Sequence, residues 1–150
     1  AVIYYSNHHG NTKKILVSIA ANHEITLIDA VKTENFDLSD YDMIGFASGI
    51  YYSKFHKSVL KFAEKNLPMN KKVFFIYTCG AKKEGYTKAI RDAISGKSPK
   101  IVGSFGCLGF DTFGPFKLVG GIAKGHPDQE DIDKACRFYE SMTENAVSEQ

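Results

Sequence analysis

Along the chain, short runs of apolar and β-branched residues alternate with longer stretches in which apolar positions recur every three or four residues. The short runs are Val2 to Tyr5, Ile25 to Ile28, Met43 to Ala47, Val73 to Tyr77 and Ile101 to Phe105, each followed by polar or turn-forming residues. Near-continuous apolar runs of this length predict strands buried on both faces. The periodic stretches include Ile15, Leu16, Ile19 and Ala20, then Phe55, Val59, Phe62 and Ala63, then Ile132, Ala135, Cys136 and Tyr139; each set marks one face of a helix. The last helix carries explicit start signals, with Pro127 before it, Asp128 as N-cap, and Glu130 and Asp131 in its first turn, where anions complement the helix dipole.

Strand and helix in alternation predict a doubly wound α/β fold, a five-stranded parallel sheet covered by helices on both faces. At 150 residues and 43% hydrophobic content the chain has the size and core of one domain, spanning residues 1–150. It contains neither internal repeats nor a low-complexity linker. The exception to its economy is Gly106 to Gly125, long and glycine-rich where connections in such folds usually run about 2 to 6 residues.

Charge and cysteine usage narrow the partners. Nineteen Lys and Arg against 17 Asp and Glu give a formal charge of +2, too small to predict nucleic acid or an anionic membrane surface as the partner. Cys79, Cys107 and Cys136 are widely spaced and form no CxxC or Cys/His pattern, so the sequence predicts reduced thiols and no zinc site. No apolar run approaches the roughly 20 residues that span a bilayer, and no signal-peptide pattern opens the chain. The expectation is a soluble cytoplasmic protein, monomeric or weakly dimeric.

Ligands of an open α/β sheet bind beyond the carboxyl ends of its strands, where strand order reverses, so the chemistry should sit in the loops after strands one, three and four and in the long loop. The first, Ser6-Asn7-His8-His9-Gly10-Asn11-Thr12, leads from a strand into a helix and is rich in hydroxyl, amide and imidazole donors around one glycine. Backbone N–H groups at a helix N-terminus, reinforced by the dipole, satisfy a phosphate there. Lys13 and Lys14 oppose the helix dipole unless an anion is bound, which strengthens the phosphate reading; the alternative is a polar turn with solvated lysines. The loop fits neither GxxxxGK[ST] nor GxGxxG. It has no cysteine nucleophile, and Ala47 and Ser48 stand where a phospho-accepting domain needs a carboxylate.

The second loop, Ser48-Gly49-Ile50-Tyr51-Tyr52, sets a glycine beside two tyrosines, one of which is expected to stack on a flat aromatic ligand at about 0.5–1.5 kcal/mol beyond burial; in an extended segment both cannot face one ring. The alternative is a pair of surface aromatics over the next helix. The third, Thr78-Cys79-Gly80-Ala81, is small enough for backbone to approach a ring edge, with Cys79 either near the ring or a packed thiol. His8 and His9 are adjacent and point apart without a carboxylate or cysteine at ligand spacing, which predicts phosphate donors and not metal ligands. His56 and His126 are expected to be solvated or capping. Residues 109 to 116, Gly-Phe-Asp-Thr-Phe-Gly-Pro-Phe, either cover a ligand with aromatics or pack on themselves.

With these loops in this order, the chain resembles the flavodoxin family over essentially its whole length, Gly10-Asn11-Thr12 being the most specific match. The resemblance implies strand order 2-1-3-4-5, FMN as cofactor with its phosphate in the loop ending at Thr12, and the isoalloxazine between Ser48–Tyr52 and Thr78–Ala81. It implies electron transfer with redox proteins or small-molecule donors and acceptors, with no side chain acting as a catalyst. The alternatives are an FMN-dependent NAD(P)H:quinone-type oxidoreductase and a phosphate-binding module that has lost flavin. The chain departs from the family in His8 and His9, in Lys13 where an acid is common, in the absence of Trp, and in its slightly basic charge.

Overall fold

The computed structural model describes residues 1–5, 10–109 and 125–148. In chain order its elements are β1 (Val2–Tyr5), α1 (Asn11–Ala20), β2 (Leu27–Asp29), β3 (Met43–Tyr51), β4 (Lys54–Phe55), α2 (Lys57–Asn66), β5 (Lys72–Cys79), α3 (Lys88–Ile94), β6 (Lys100–Leu108) and α4 (Gln129–Ser148). Five strands pair in parallel in the order β2-β1-β3-β5-β6, and the two-residue β4 runs antiparallel against the end of β3. Counted over the parallel strands alone, this is the 2-1-3-4-5 order of a flavodoxin-like sheet.

Alternation along the strands divides the core into two layers. Ile3, Ile44, Phe46, Val73 and Phe75 meet α2 through Val59, Phe62 and Ala63, and α3 through Ile90 and Ile94. Val2, Ala47, Phe74 and Ile76 meet α1 through Ile15, Leu16 and Ile19, and α4 through Ala135 and Met142. The central strands therefore read as unbroken apolar runs because neither face is wet. Asp128 does start α4: its carboxylate accepts the Asp131 N–H, and the Asp131 carboxylate accepts the Asp128 N–H, both at 2.9 Å. This reciprocal box satisfies two donors that the helix leaves without internal partners.

Four details differ from the sequence pattern. The second strand is Leu27–Asp29 and not Ile25–Ile28, because the ladder opens with the Val2 N–H on the Thr26 carbonyl at 2.8 Å. Phe55 shares the core with Val59 and Phe62 but lies in β4, since His56 caps α2 and the helix begins only at Lys57. Helix α3 was not marked by periodicity; seven residues with Ile90 and Ile94 buried are too short to display one. Strand β3 also runs four residues past Ala47, to Tyr51.

Packing of Phe74 depends on a glycine across the ladder. Gly45 stands opposite Phe74 in the β3–β5 register, and a Cβ on Gly45 would overlap the Phe74 ring, which is 2% exposed. Gly45→Ala should therefore cost about 1–3 kcal/mol through overpacking. Urea denaturation of the variant and the parent measures it; an unchanged midpoint would show that the ring has room to move.

Candidate functional site

Chain leaving β1 turns to one side toward β2 and chain leaving β3 turns to the other toward β5, so strand order reverses between β1 and β3. The carboxyl ends of these strands and of β5 define the site. Ser6, Asn7, His8 and His9 lie outside the described residues, as does the segment 110–124 of the long loop. The remaining candidates are all placed at this edge.

Gly10 is the N-cap of α1, with φ +66 and ψ 21, and its carbonyl accepts the Lys14 N–H at 3.0 Å. Such left-handed backbone is cheap for glycine and strained for most other residues. Nothing lies within 4 Å of where its Cβ would be, so the glycine answers to backbone conformation and not to crowding. The cap offers no side-chain acceptor, and the first turn holds no acid. Asn11 reaches across to the loop after β6, where a Cβ on Gly109 would fall 2.7 Å from its Nδ2. Thr12 turns inward: its hydroxyl and that of Thr78 are 2.9 Å apart, with both residues buried. This pair ties the first turn of α1 to the end of β5. Lys14 reaches the Pro127 carbonyl at 3.3 Å, just ahead of α4.

The second candidate segment is a hairpin, not a simple loop. Ser48, Gly49, Ile50 and Tyr51 belong to β3, whose end folds back at Tyr52 and Ser53 so that Tyr51 pairs with Lys54 and Ile50 with Phe55. Tyr52 (φ +50) and Ser53 (φ +65) both take the left-handed conformation that a two-residue type I′ turn requires. Asn-Gly is the usual solution there, so Tyr-Ser gives no hairpin signal in the sequence. The two tyrosines consequently separate, Tyr51 leaning back over Gly49 and Tyr52 standing 82% exposed at the tip. Ser48 is fully buried and closes the hairpin, accepting the His56 N–H at 3.0 Å and donating to the Gly49 carbonyl at 2.5 Å.

Two residues join the site that the sequence did not connect with it. The rings of Tyr5 and His56 stack with centroids 3.6 Å apart and planes 7° from parallel, and Tyr51 presents its edge to both. His56 also caps α2, its Nδ1 accepting the Ser58 N–H at 3.1 Å. Burial, and after it the Lys57 ammonium, holds the imidazole below its ordinary pKa. No local pattern links residues 51 positions apart, so only the fold brings this stack together. A cleft of about 370 Å³ opens among Tyr5, Tyr51, Tyr52, Lys54 and His56. A groove of about 650 Å³ runs from the same two rings along α2, with Thr33 and Glu34 on its far wall.

In the third segment Thr78 and Cys79 end β5, and Gly80 and Ala81 follow. The Cys79 thiol is buried and donates to the Cys107 carbonyl at 3.5 Å, while its own carbonyl accepts the Gly109 N–H at 2.9 Å. It is a packed thiol. The Ala81 carbonyl is held by the Tyr86 hydroxyl at 2.6 Å. Burial, followed by the Asp131 carboxylate, pushes the Cys107 thiol up to about 12, so it stays protonated. His126, Asp128 and Asp131 cluster at the start of α4, with His126 Nδ1 2.6 Å from an Asp131 oxygen. Burial opposes ionisation of Asp131, but hydrogen bonds from His126 and the Asp128 N–H outweigh it and hold the carboxyl below its ordinary range.

A family model described as a flavodoxin domain matches residues 2–110. An uncharacterized protein of Methanocaldococcus jannaschii is 43% identical over an alignment of 148 residues that covers 96% of this chain and 97% of that one. Among solved structures, a flavodoxin from the domain Archaea matches with a TM-score of 0.69 at 18% identity, covering 96% of this chain and 95% of that one. Rubredoxin oxygen:oxidoreductase from Desulfovibrio gigas matches with a TM-score of 0.70 at 14% identity, covering 98% of this chain and 36% of the other. At these identities the structural matches establish the fold.

The His56 cap generates a pH dependence. Because the folded protein holds this imidazole below its ordinary value of 6.5, its contribution to stability is complete above that pH. The contribution is lost as pH falls through 6.5 and the lowered folded value, since the unfolded chain takes up the proton first. His56→Asn keeps a cap acceptor and removes the titration. Denaturation midpoints between pH 5 and 8 should fall less steeply with acid in the variant than in the parent; parallel profiles would remove His56 from the pH response.

Proposed function

Because the chain belongs to the flavodoxin family, we propose that it binds FMN at the carboxyl ends of β1, β3 and β5 and carries electrons. The observation that carries this reading is the start of α1. A left-handed glycine cap without a side-chain acceptor, a first turn free of acids, and two lysines at the point where strand order reverses support a phosphate site there. The donors that precede it in the sequence, Ser6, Asn7, His8 and His9, are of the type a phosphate monoester recruits.

In this reading Gly10 and the first-turn N–H groups of α1 hold the phosphate, and Asn11 closes its flank against Gly109. Thr12 acts as a positioning residue, since its hydroxyl is engaged with Thr78 and fixes the helix terminus relative to β5. The β3–β4 hairpin, bearing Tyr51 and Tyr52, and the Thr78–Ala81 turn, whose small residues let backbone groups approach a ring edge, would hold the isoalloxazine between them. Bound FMN supplies the redox chemistry, and the protein's share is to bind, orient and shield it. No side chain here need donate or abstract a proton. The partners are redox proteins or small-molecule electron donors and acceptors, and the protein works as a monomer or weak dimer in the cytoplasm. None of the helices among the described residues is long and apolar enough to cross a membrane.

Visible absorption of purified protein, after incubation with FMN and desalting, tests the reading: retained flavin bands are expected, and a colourless eluate would leave a phosphate-binding module without flavin. Fast direct reduction by NADH or NADPH would favour an NAD(P)H:quinone-type oxidoreductase over a carrier. Gly10→Val, which cannot adopt φ +66 without strain, should disturb charge-assisted hydrogen bonds worth about 1.5–3 kcal/mol and raise the FMN Kd about tenfold or more. An unchanged Kd with intact circular dichroism would move the phosphate elsewhere.

A further inference from the structure

We propose that the face around the β3–β4 hairpin and the first half of α2 is the docking surface for an acidic redox protein, gripped by Lys54, Lys57 and Lys61 and anchored on Tyr52. The proposal rests on the electron-carrier reading, and it names the sign of the partner's surface.

Charge is the first support. The segments leaving the carboxyl ends of β3 and β5 carry Lys54, Lys82 and Lys83 against Glu84, and the helices that follow β1, β3 and β5 open with Lys13 and Lys14, Lys57, and Lys88. A chain of net +2 thus concentrates cations at the ends of these three strands, while Asp29 at the end of β2 and Asp128 and Asp131 ahead of α4 flank them. Lys54, Lys57 and Lys61 are exposed and make no ion pair among the described residues, whereas Lys65, next in the α2 row, is already held by Glu34 at 3.0 Å. Lys57 and Lys61 lie one helical turn apart, about 6 Å along the axis, a spacing that carboxylates on a facing helix or strand can match. Glu64, also on α2, is the acid nearest in sequence to this row.

Shape is the second support. The hairpin cleft and the α2 groove are both lined by Tyr5, His56 and Lys57, so the two adjoin at the aromatic cluster, one under the hairpin and one along α2. Tyr52 stands over its mouth on a turn with two positive-φ residues, neither of them glycine. Exposed tyrosine ringed by charge is the composition of an interface anchor, and cationic rims raise association rates with oppositely charged partners. A nucleic acid is the poorer fit: phosphate recognition favours the bidentate guanidinium, and the chain's arginines, Arg91 and Arg137, lie on α3 and α4.

The test uses a fluorescein-labelled 12-residue peptide of glutamate and serine as probe, with anisotropy read on the protein both as purified and after FMN loading. Binding is expected, weakening at least tenfold between 50 and 200 mM salt. It should fall at least tenfold in Lys54→Glu/Lys57→Glu/Lys61→Glu and at least threefold in Tyr52→Ser, but stay unchanged in Lys97→Glu at the opposite edge. The triple variant should fold, because all three lysines are exposed and the Lys57 change places an anion at the start of α2. Absence of binding, or equal loss in Lys97→Glu, would overturn the proposal. A labelled 12-nucleotide single strand binding tenfold more tightly than the peptide would overturn it in favour of nucleic acid. Peptide binding with the expected variant pattern but no retained FMN would keep the acidic-protein surface and sink the electron-carrier reading instead.

Discussion

Parallel pairing of β1, β3 and β5 is the constraint from which the rest of the molecule follows. Two parallel strands cannot be joined by a tight turn, so each connection must cross back over a face of the sheet. Every carboxyl end then lies on one edge, and every crossing helix buries an apolar stripe on one of two core layers. The same requirement places the N-terminus of α1 beside the ends of β1 and β5. A buried hydroxyl pair, Thr12 with Thr78, helps fix it there. Breaking that pair would leave a hydroxyl without a partner inside the protein, a cost of about 1–3 kcal/mol, so the terminus is held in place more firmly than one hydrogen bond suggests.

What could be read from the sequence and what could not divides along the range of the interactions. Val73 to Tyr77 announces a strand because both its faces are buried, and Asp128 with Asp131 announces a helix start because the cap closes within four residues. Gly10 marks the turn into α1 because glycine is the residue that tolerates φ +66 without strain. The hairpin at Tyr52 and Ser53 was hidden, since its turn is made by residues that usually avoid such angles. Phe55 shows helical spacing to Val59 and Phe62 because a buried residue two positions before a helix continues the helix's row. The stack of Tyr5 on His56 had no local signature at all, being created by the pairing of β1 with β3 and the return of β4. Of the proposed site, then, the glycine turn into α1 was legible and the aromatic cluster was legible only as a list of residues.

The electrostatic character of the protein is likewise a matter of placement more than of totals. A charge of +2 on 150 residues predicts almost nothing about partners. The same lysines gathered at the carboxyl edge, in a medium where charges interact over roughly 8–10 Å at moderate salt, give that edge a field the average conceals. Acids are not absent from the edge, but Asp128 and Asp131 are committed to capping α4 and to His126. They fix the start of α4 at the β6 side of the edge, away from the β3–β4 hairpin that carries Lys54 and Lys57.

The hairpin turn shows where the fold accepts strain and what it obtains. Non-glycine residues in sparsely populated backbone regions cost about 1–3 kcal/mol each, and Tyr52 and Ser53 are adjacent examples. They persist because the strands on either side are over-determined: Ser48 hydrogen-bonds the backbone of His56 across the hairpin, Phe55 is fully buried, and Tyr51 wedges against Tyr5 and His56. Asn-Gly would make the same turn with less strain, but it would place no ring at the tip. The turn thus sets an 82% exposed tyrosine at the carboxyl edge of the sheet, a placement that the more relaxed Asn-Gly could not provide.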